Sequence, residues 1–310
     1  MRYYRRFPDW LRRTLPENST ARTHAILRKF QLNTVCQSVK CPNMQECYSR
    51  NTATFMILGK VCTRHCGFCG VESGSLGEVL RSDEPERVAF AAQELGLKYI
   101  VITSVTRDDL DDEGAGHYAA TVRAIKAMIP DSRVETLTPD FHASEDLIAR
   151  VLEAGTDVFN HNLEAVERLQ KIARPQADYR RSLTVLETAK RISPDVVTKS
   201  GLMLGLGETE SEVFEAGRHL LSAGVSVLTL GQYLRPTAHH LEVKEYISPG
   251  RFADLANRLE AMGFQKVVAG PYVRSSYRAL ETYSRLPVEN TGCPGRAKHD
   301  EILLGGEKNA

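Results

Sequence analysis

The chain has 310 residues, a formal net charge of +1 and 42% hydrophobic residues. Near-neutral charge gives no pull toward nucleic acid or anionic membrane, and no apolar run approaches bilayer-spanning length. The length suits one large domain, or one domain with small extensions.

Residues 1–34 mix basic, aromatic and helix-like stretches. Arg2, Arg5, Arg6, Arg12 and Arg13 stand near the start, but no apolar core of a signal peptide follows them. Residues 24–32 read as a short helix, 35–50 hold three cysteines, and 52–58 read as the first strand of the main domain. Beyond a second three-cysteine loop the pattern alternates. Helices are expected over 85–95, stopped by Gly96, and over 115–129, stopped by Pro130. Another is expected over 144–154, with Ser144 as N-cap and Gly155 beyond its end. Further helices are expected over 163–172, 179–192, 208–223 and 249–262. Strands are expected over 99–103, 134–137, 157–160, 197–204, 225–230 and 266–269. Strand–helix alternation predicts a parallel sheet of six or seven strands in an open or partial barrel, with ligands at the carboxyl ends of the strands.

Six of the seven cysteines fall between Cys36 and Cys69. That clustering and the odd count argue against a disulfide scaffold and for thiolate–metal ligation in a reducing cytoplasm. Cys62-Thr-Arg-His-Cys66-Gly-Phe-Cys69 places three thiols in one loop at the carboxyl end of the first strand. A closed zinc site wants four protein ligands, whereas an iron–sulfur cube on three thiolates keeps one iron open. The alternative is a zinc knuckle completed by His65 or a distant ligand. The upstream group, Cys36, Cys41 and Cys47, again offers three thiols and no local fourth.

With Phe68 directly before its last cysteine, the Cys62–Cys69 loop resembles that of the radical S-adenosylmethionine (SAM) enzymes. The paired cysteine groups narrow the resemblance to the lipoyl synthases. So do Cys41-Pro-Asn43, Thr103-Ser-Val-Thr-Arg-Asp-Asp109, Asn160-His-Asn-Leu-Glu164, Thr198-Lys-Ser200, Gly205-Leu-Gly-Glu-Thr209, Gln232-Tyr-Leu-Arg-Pro236 and Arg274-Ser-Ser-Tyr277. It covers roughly residues 7–285.

The resemblance implies a partial (β/α)6-type parallel barrel over 51–270. An N-terminal extension, 1–50, carries auxiliary-cluster cysteines, and a C-terminal extension, 271–310, carries the Arg-Ser-Ser-Tyr motif. It implies two [4Fe-4S] clusters, one on Cys62, Cys66 and Cys69 that chelates SAM, and an auxiliary one on Cys36, Cys41, Cys47 and Ser276. A serine oxygen is a hard ligand on iron normally held by thiolate, and is expected to be easily displaced. The implied reaction uses two SAM molecules to insert sulfur at C6 and C8 of an octanoyl chain carried on a protein lysine, with the auxiliary cluster as sulfur donor. Implied partners are an octanoylated carrier domain or protein, an electron donor and a cluster-rebuilding partner.

Phe68, Thr103, Ser104, Asn160 and Lys199 are expected to contact SAM. Ser276 can reach Cys47 only if the chain's end folds back, and it is expected to do so over the barrel mouth. The rivals are another sulfur-inserting radical SAM enzyme, a non-catalytic iron–sulfur electron carrier and a zinc-binding interaction module. Among weaker signals, 108–113 reads as a solvated acidic loop, Gly205-Leu-Gly207 as a turn and His161 as a satisfied loop histidine. Cys293 reads as a spare thiol in a loose tail that starts at Pro287.

Overall fold

Eight strands lie side by side in sequence order in the computed structural model, which describes residues 7–12 and 19–286. They are β1 (Asn33–Thr34), β2 (Thr54–Ile57), β3 (Tyr99–Ser104), β4 (Arg133–Leu137), β5 (Val158–Asn160), β6 (Val197–Leu204), β7 (Val227–Gln232) and β8 (Lys266–Gly270). Strands β2 to β8 are parallel, and only the two-residue β1 runs antiparallel. Seven parallel strands match the expected open barrel, and among the described residues β8 pairs only with β7. Cys293 and the tail from Pro287 lie outside the described residues.

Ahead of β2 come α1 (Ala21–Lys29), α2 (Val35–Ser38) and α3 (Met44–Ser49). The crossovers carry α4 (Glu84–Leu95), α5 (Ala115–Met128), α6 (Glu145–Glu153), α7 (Gln170–Ala173), α8 (Tyr179–Ile192), α9 (Glu210–Ser222) and α10 (Pro249–Ala261). After β8 comes α11 (Ala279–Tyr283). Strand alternation sorts the side chains. Phe55, Ile57, Ile100, Ile102 and Phe159 pack outward against Val88, Ala92, Ala119 and Val122 of α4 and α5. Tyr99, Val101 and Val158 face inward.

Two local expectations change. Residues 163–166 are not helical. Glu164 takes φ +68° and lies along β6, its N–H donating to the Gly201 carbonyl (2.8 Å) and its carbonyl accepting from Met203 N–H (2.8 Å). Only 167–173 coil, as a short 3-10 turn and α7. Ser144 occupies the N-cap of α6 but its hydroxyl makes no capping bond. The N-terminus of α9 is closed instead by a capping box between Thr209 and Glu212.

The C-terminal segment corrects a third. It does not cover the barrel mouth. From the carboxyl end of β8 it descends inside the sheet, and Ala279 and Tyr283 pack against Tyr99 and Val101. Arg133, at the start of β4, lies over the Tyr283 ring. Gly231 makes room, since a Cβ there would collide with the Val273 carbonyl.

Candidate metal centres

Strand β2 carries a three-thiol group near each end. At its carboxyl end the Cys62–Cys69 loop is held by its backbone. Cys62 N–H donates to the Glu72 carbonyl and Gly67 N–H to the Ala173 carbonyl, both at 2.9 Å. The Gly67 carbonyl accepts from Leu241 N–H (2.9 Å), and that of Cys69 from His240 Nε2 (2.8 Å). Cys62 Sγ accepts from the N–H groups of Thr106 (3.3 Å) and Arg64 (3.5 Å). N–H to sulfur bonds of this kind tune iron–sulfur centres. Burial pushes the Cys66 thiol up, with the Arg174 charge opposing, and pushes Cys69 up to about 12. The charge of Cys62 adds to both shifts, and ligation by Cys66 and Cys69 has to release their protons.

Arg64 locks this loop to the barrel. It is buried, and pairs with Asp108 (2.7 Å) and Asp140 (2.8 Å), while Arg181 adds a bond to Asp140 (2.9 Å). Burial works against the Asp140 carboxylate, yet Arg64 holds it well below the usual range. The acidic run is exposed at Asp108, Asp109 and Asp111, as expected of a solvated loop, and it is also paired. Asp108 and Asp109 bind Arg64 and Arg107, and Asp112 accepts the N–H groups of Gly114 and Gly116.

At the amino end of β2 stand Cys36, Cys41 and Cys47. Thr34 caps α2, and Cys41 N–H donates to the Cys36 carbonyl (2.9 Å). Burial raises the Cys36 thiol to about 11; Cys41 adds to this and Thr54 opposes it through backbone and side chain. Burial raises the Tyr48 phenol, and Cys36, Cys41 and Cys47 add to the shift. The C-terminal segment reaches the same place. Asn43 Nδ2 donates to the Tyr272 carbonyl (2.7 Å), and Tyr277 Oη to Glu46 (2.9 Å). Thr54 Oγ1 donates to Ser276 Oγ (2.8 Å). Thr54, at the start of β2, is thus tied to the segment that follows β8. Ser275 turns the other way, its Oγ donating to Asn162 Oδ1 (2.8 Å).

The residues expected at SAM separate. Phe68 is half-buried against the apolar core on the α9–α10 side. Thr103 faces inward and donates to the Leu137 carbonyl (3.0 Å). Ser104 lies on the opposite face of β3, its Oγ buried without a hydrogen-bond partner. Asn160 donates to Glu135 (2.8 Å) and keeps its Oδ1 unpartnered. Lys199 lies deep in the barrel. Its ammonium bonds both oxygens of Glu135 (2.9 and 3.0 Å) and the Ser275 carbonyl (2.5 Å), which commits all three N–H donors within the protein. His161 is buried, with Nδ1 on the Thr138 carbonyl (2.9 Å) and Nε2 unpartnered.

Sequence reading missed Glu135, Glu164 and Arg174. Burial raises the Glu164 carboxyl, with Arg174 opposing, and both Cys66 and Cys69 feel its charge. A carboxyl beside the cluster loop and the orphaned Asn160 oxygen suit a polar, cationic ligand such as SAM. The position of Glu164 just past the carboxyl end of β5 was the available signal.

A family model described as the radical SAM superfamily matches residues 56–220. A lipoyl synthase from Methanocella arvoryzae is 50% identical over 278 residues, covering 89% of this chain and 94% of that protein. One from Halorhodospira halophila is 51% identical over 292 residues, covering 94% of this chain and 86% of that protein. Among solved structures, a maturase of the [FeFe]-hydrogenase superposes with a TM-score of 0.57 at 13% identity, covering 87% of this chain and 67% of that one. Methylornithine synthase gives 0.54 at 11% identity, covering 79% and 73%. These two structures speak for the fold alone.

Proposed function

The chain belongs to the lipoyl synthase family of radical SAM enzymes, and from that premise we infer how its two thiol groups divide the work. The enzyme is a sulfurtransferase that inserts two sulfur atoms, at C6 and C8, into a protein-bound octanoyl-lysine. When bound, a [4Fe-4S] cluster and SAM supply the radical that removes hydrogen from an unactivated carbon.

Cys62, Cys66 and Cys69 would hold the SAM cluster, because they are three converging thiols with one iron position left over. Arg64, clamped by Asp108 and Asp140, keeps their loop in place. Glu164 and the Asn160 oxygen are the groups best placed to orient the cofactor's cationic and hydroxyl functions. Cys36, Cys41 and Cys47, with the Ser276 oxygen, would hold the auxiliary [4Fe-4S] cluster, which serves as sulfur donor. The observation that carries this reading is the return of the C-terminal segment to the amino end of β2, where Thr54 donates to Ser276, Asn43 to the Tyr272 carbonyl and Tyr277 to Glu46. A four-residue strand spans roughly 13 Å, so an acyl chain entering the barrel can lie between the two centres. A donor consumed in each reaction requires a partner that rebuilds it, and the SAM cluster requires an electron donor. No helix among the described residues is long and apolar enough to cross a membrane, and the six free thiols fit a reducing cytoplasm.

Alanine variants test the division. Replacing Cys62, Cys66 or Cys69 is expected to abolish 5′-deoxyadenosine formation while the auxiliary cluster still assembles. Replacing Cys36, Cys41 or Cys47 is expected to keep 5′-deoxyadenosine but yield no carbon–sulfur bond. Normal lipoyl product from Cys41→Ala overturns the sulfur-donor reading.

A further inference from the structure

Lys199 and Glu135 form an ion pair with almost no exposure to solvent, at 4% and 0% of their side chains. Every polar atom of the pair is used. Glu135 Oε1 accepts from Asn160 (2.8 Å) and Lys199, and Oε2 from Tyr99 Oη (2.7 Å) and Lys199. Four adjacent strands, β3 to β6, thereby converge on one point inside the barrel. Lys199 then gives its remaining N–H to the Ser275 carbonyl. A buried pair of this kind is often no more stabilising than apolar side chains of equal volume. Its presence therefore asks for a role other than holding the sheet together.

We propose that Lys199, held by Glu135, is a positioning residue that aims the Ser276 oxygen at the Cys36–Cys47 cluster; this rests on the reading of Ser276 as a ligand. The peptide unit is planar. Pinning the Ser275 carbonyl therefore fixes the plane that leads into Ser276, and the bond from Ser275 Oγ to Asn162 fixes its other side. Beyond it, Tyr277 and Arg278 are tied to Glu46, one residue before Cys47. The hydroxyl that lies between these anchors meets Thr54. A weak oxygen ligand stays on iron through such placement more than through bond strength. Lys199 suits the task because a flexible stem carries three donors on one compact charge.

The test uses the full chain, loaded anaerobically with both clusters. Iron loss to a chelator is followed by Mössbauer spectroscopy, and the SAM cluster is recognised by its response to added SAM. The double variant Glu135→Gln/Lys199→Met removes the pair without stranding a buried charge. It is expected to lose one auxiliary iron about tenfold faster than the unaltered enzyme, as fast as Ser276→Ala, which matches the loss of a charge-assisted hydrogen bond. The SAM cluster is expected to lose iron at its original rate, whereas a general loosening of the barrel speeds both. Tyr99→Phe, which deletes only one bond to Glu135, is expected to give a smaller acceleration confined to the same iron, and it decides the matter if the double variant does not fold. Fast loss in Ser276→Ala with unchanged loss in the Lys199 and Tyr99 variants overturns the positioning role alone. Unchanged loss in Ser276→Ala overturns the ligand reading and the positioning role with it.

Discussion

His161 is buried among charged neighbours yet is itself neutral. Burial lowers its pKa to about 4; the Arg174 charge adds to this, and Asp140 opposes it. In the unfolded chain the ring titrates near 6.5, so as pH falls below that value the unfolded state takes up a proton that the fold refuses. The resulting contribution is fully favourable above about 6.5 and is lost as pH falls toward about 4. Between pH 7.5 and 5.5 the loss is about 1 kcal/mol. His161→Asn keeps a donor near the Thr138 carbonyl and is expected to remove that slope in anaerobic denaturant titrations. An unchanged slope contradicts the assignment. A histidine in Asn160-His-Asn162 reads as a loop residue from sequence, since its burial depends on Thr138, Asp140 and Arg174 arriving from other loops. Glu135 was hidden for the same reason. A glutamate in the short strand Arg133–Leu137 gives no sign that Tyr99, Asn160 and Lys199 will surround it.

At the scale of elements, most of the barrel was legible. Continuous apolar runs such as Tyr99-Ile-Val-Ile-Thr103 became parallel strands, and Gly96 and Gly155 ended their helices in the left-handed conformation. The 163–172 stretch misled because Leu163, Val166 and Leu169 repeat at helical spacing. Glu164 instead pairs along β6, where backbone partners from Gly201 and Met203 outweigh periodicity. The two-residue β1 is too short to leave a pattern. The route of residues 271–283 through the barrel was not legible, because it depends on glycines in distant strands. Gly231→Ala tests that route. Its Cβ would strike the Val273 carbonyl, so stability is expected to fall by about 1–3 kcal/mol. Auxiliary iron is expected to be lost while SAM cleavage persists. Gly250→Ala, with nothing within 4 Å of its Cβ, is the control, and equal losses in both contradict the route.

For the whole molecule, the parallel sheet sets two thiol sites at the two ends of β2 and threads the C-terminal segment between them. One site is braced by Arg64 and its two aspartates, the other by Thr54, Tyr48 and the Glu46 contacts. On the proposed division of radical generation from sulfur donation, one acyl chain would meet both. The most direct measurement is an anaerobic single-turnover reaction with an octanoyl-lysine peptide. The enzyme is loaded with isotopically labelled sulfide in its clusters, and the product is read by mass spectrometry. Both sulfur atoms of the lipoyl group are expected to carry the label, with no more than one lipoyl group formed per chain. Unlabelled product, or many turnovers without cluster rebuilding, would show that the Cys36–Cys47 centre is not the donor.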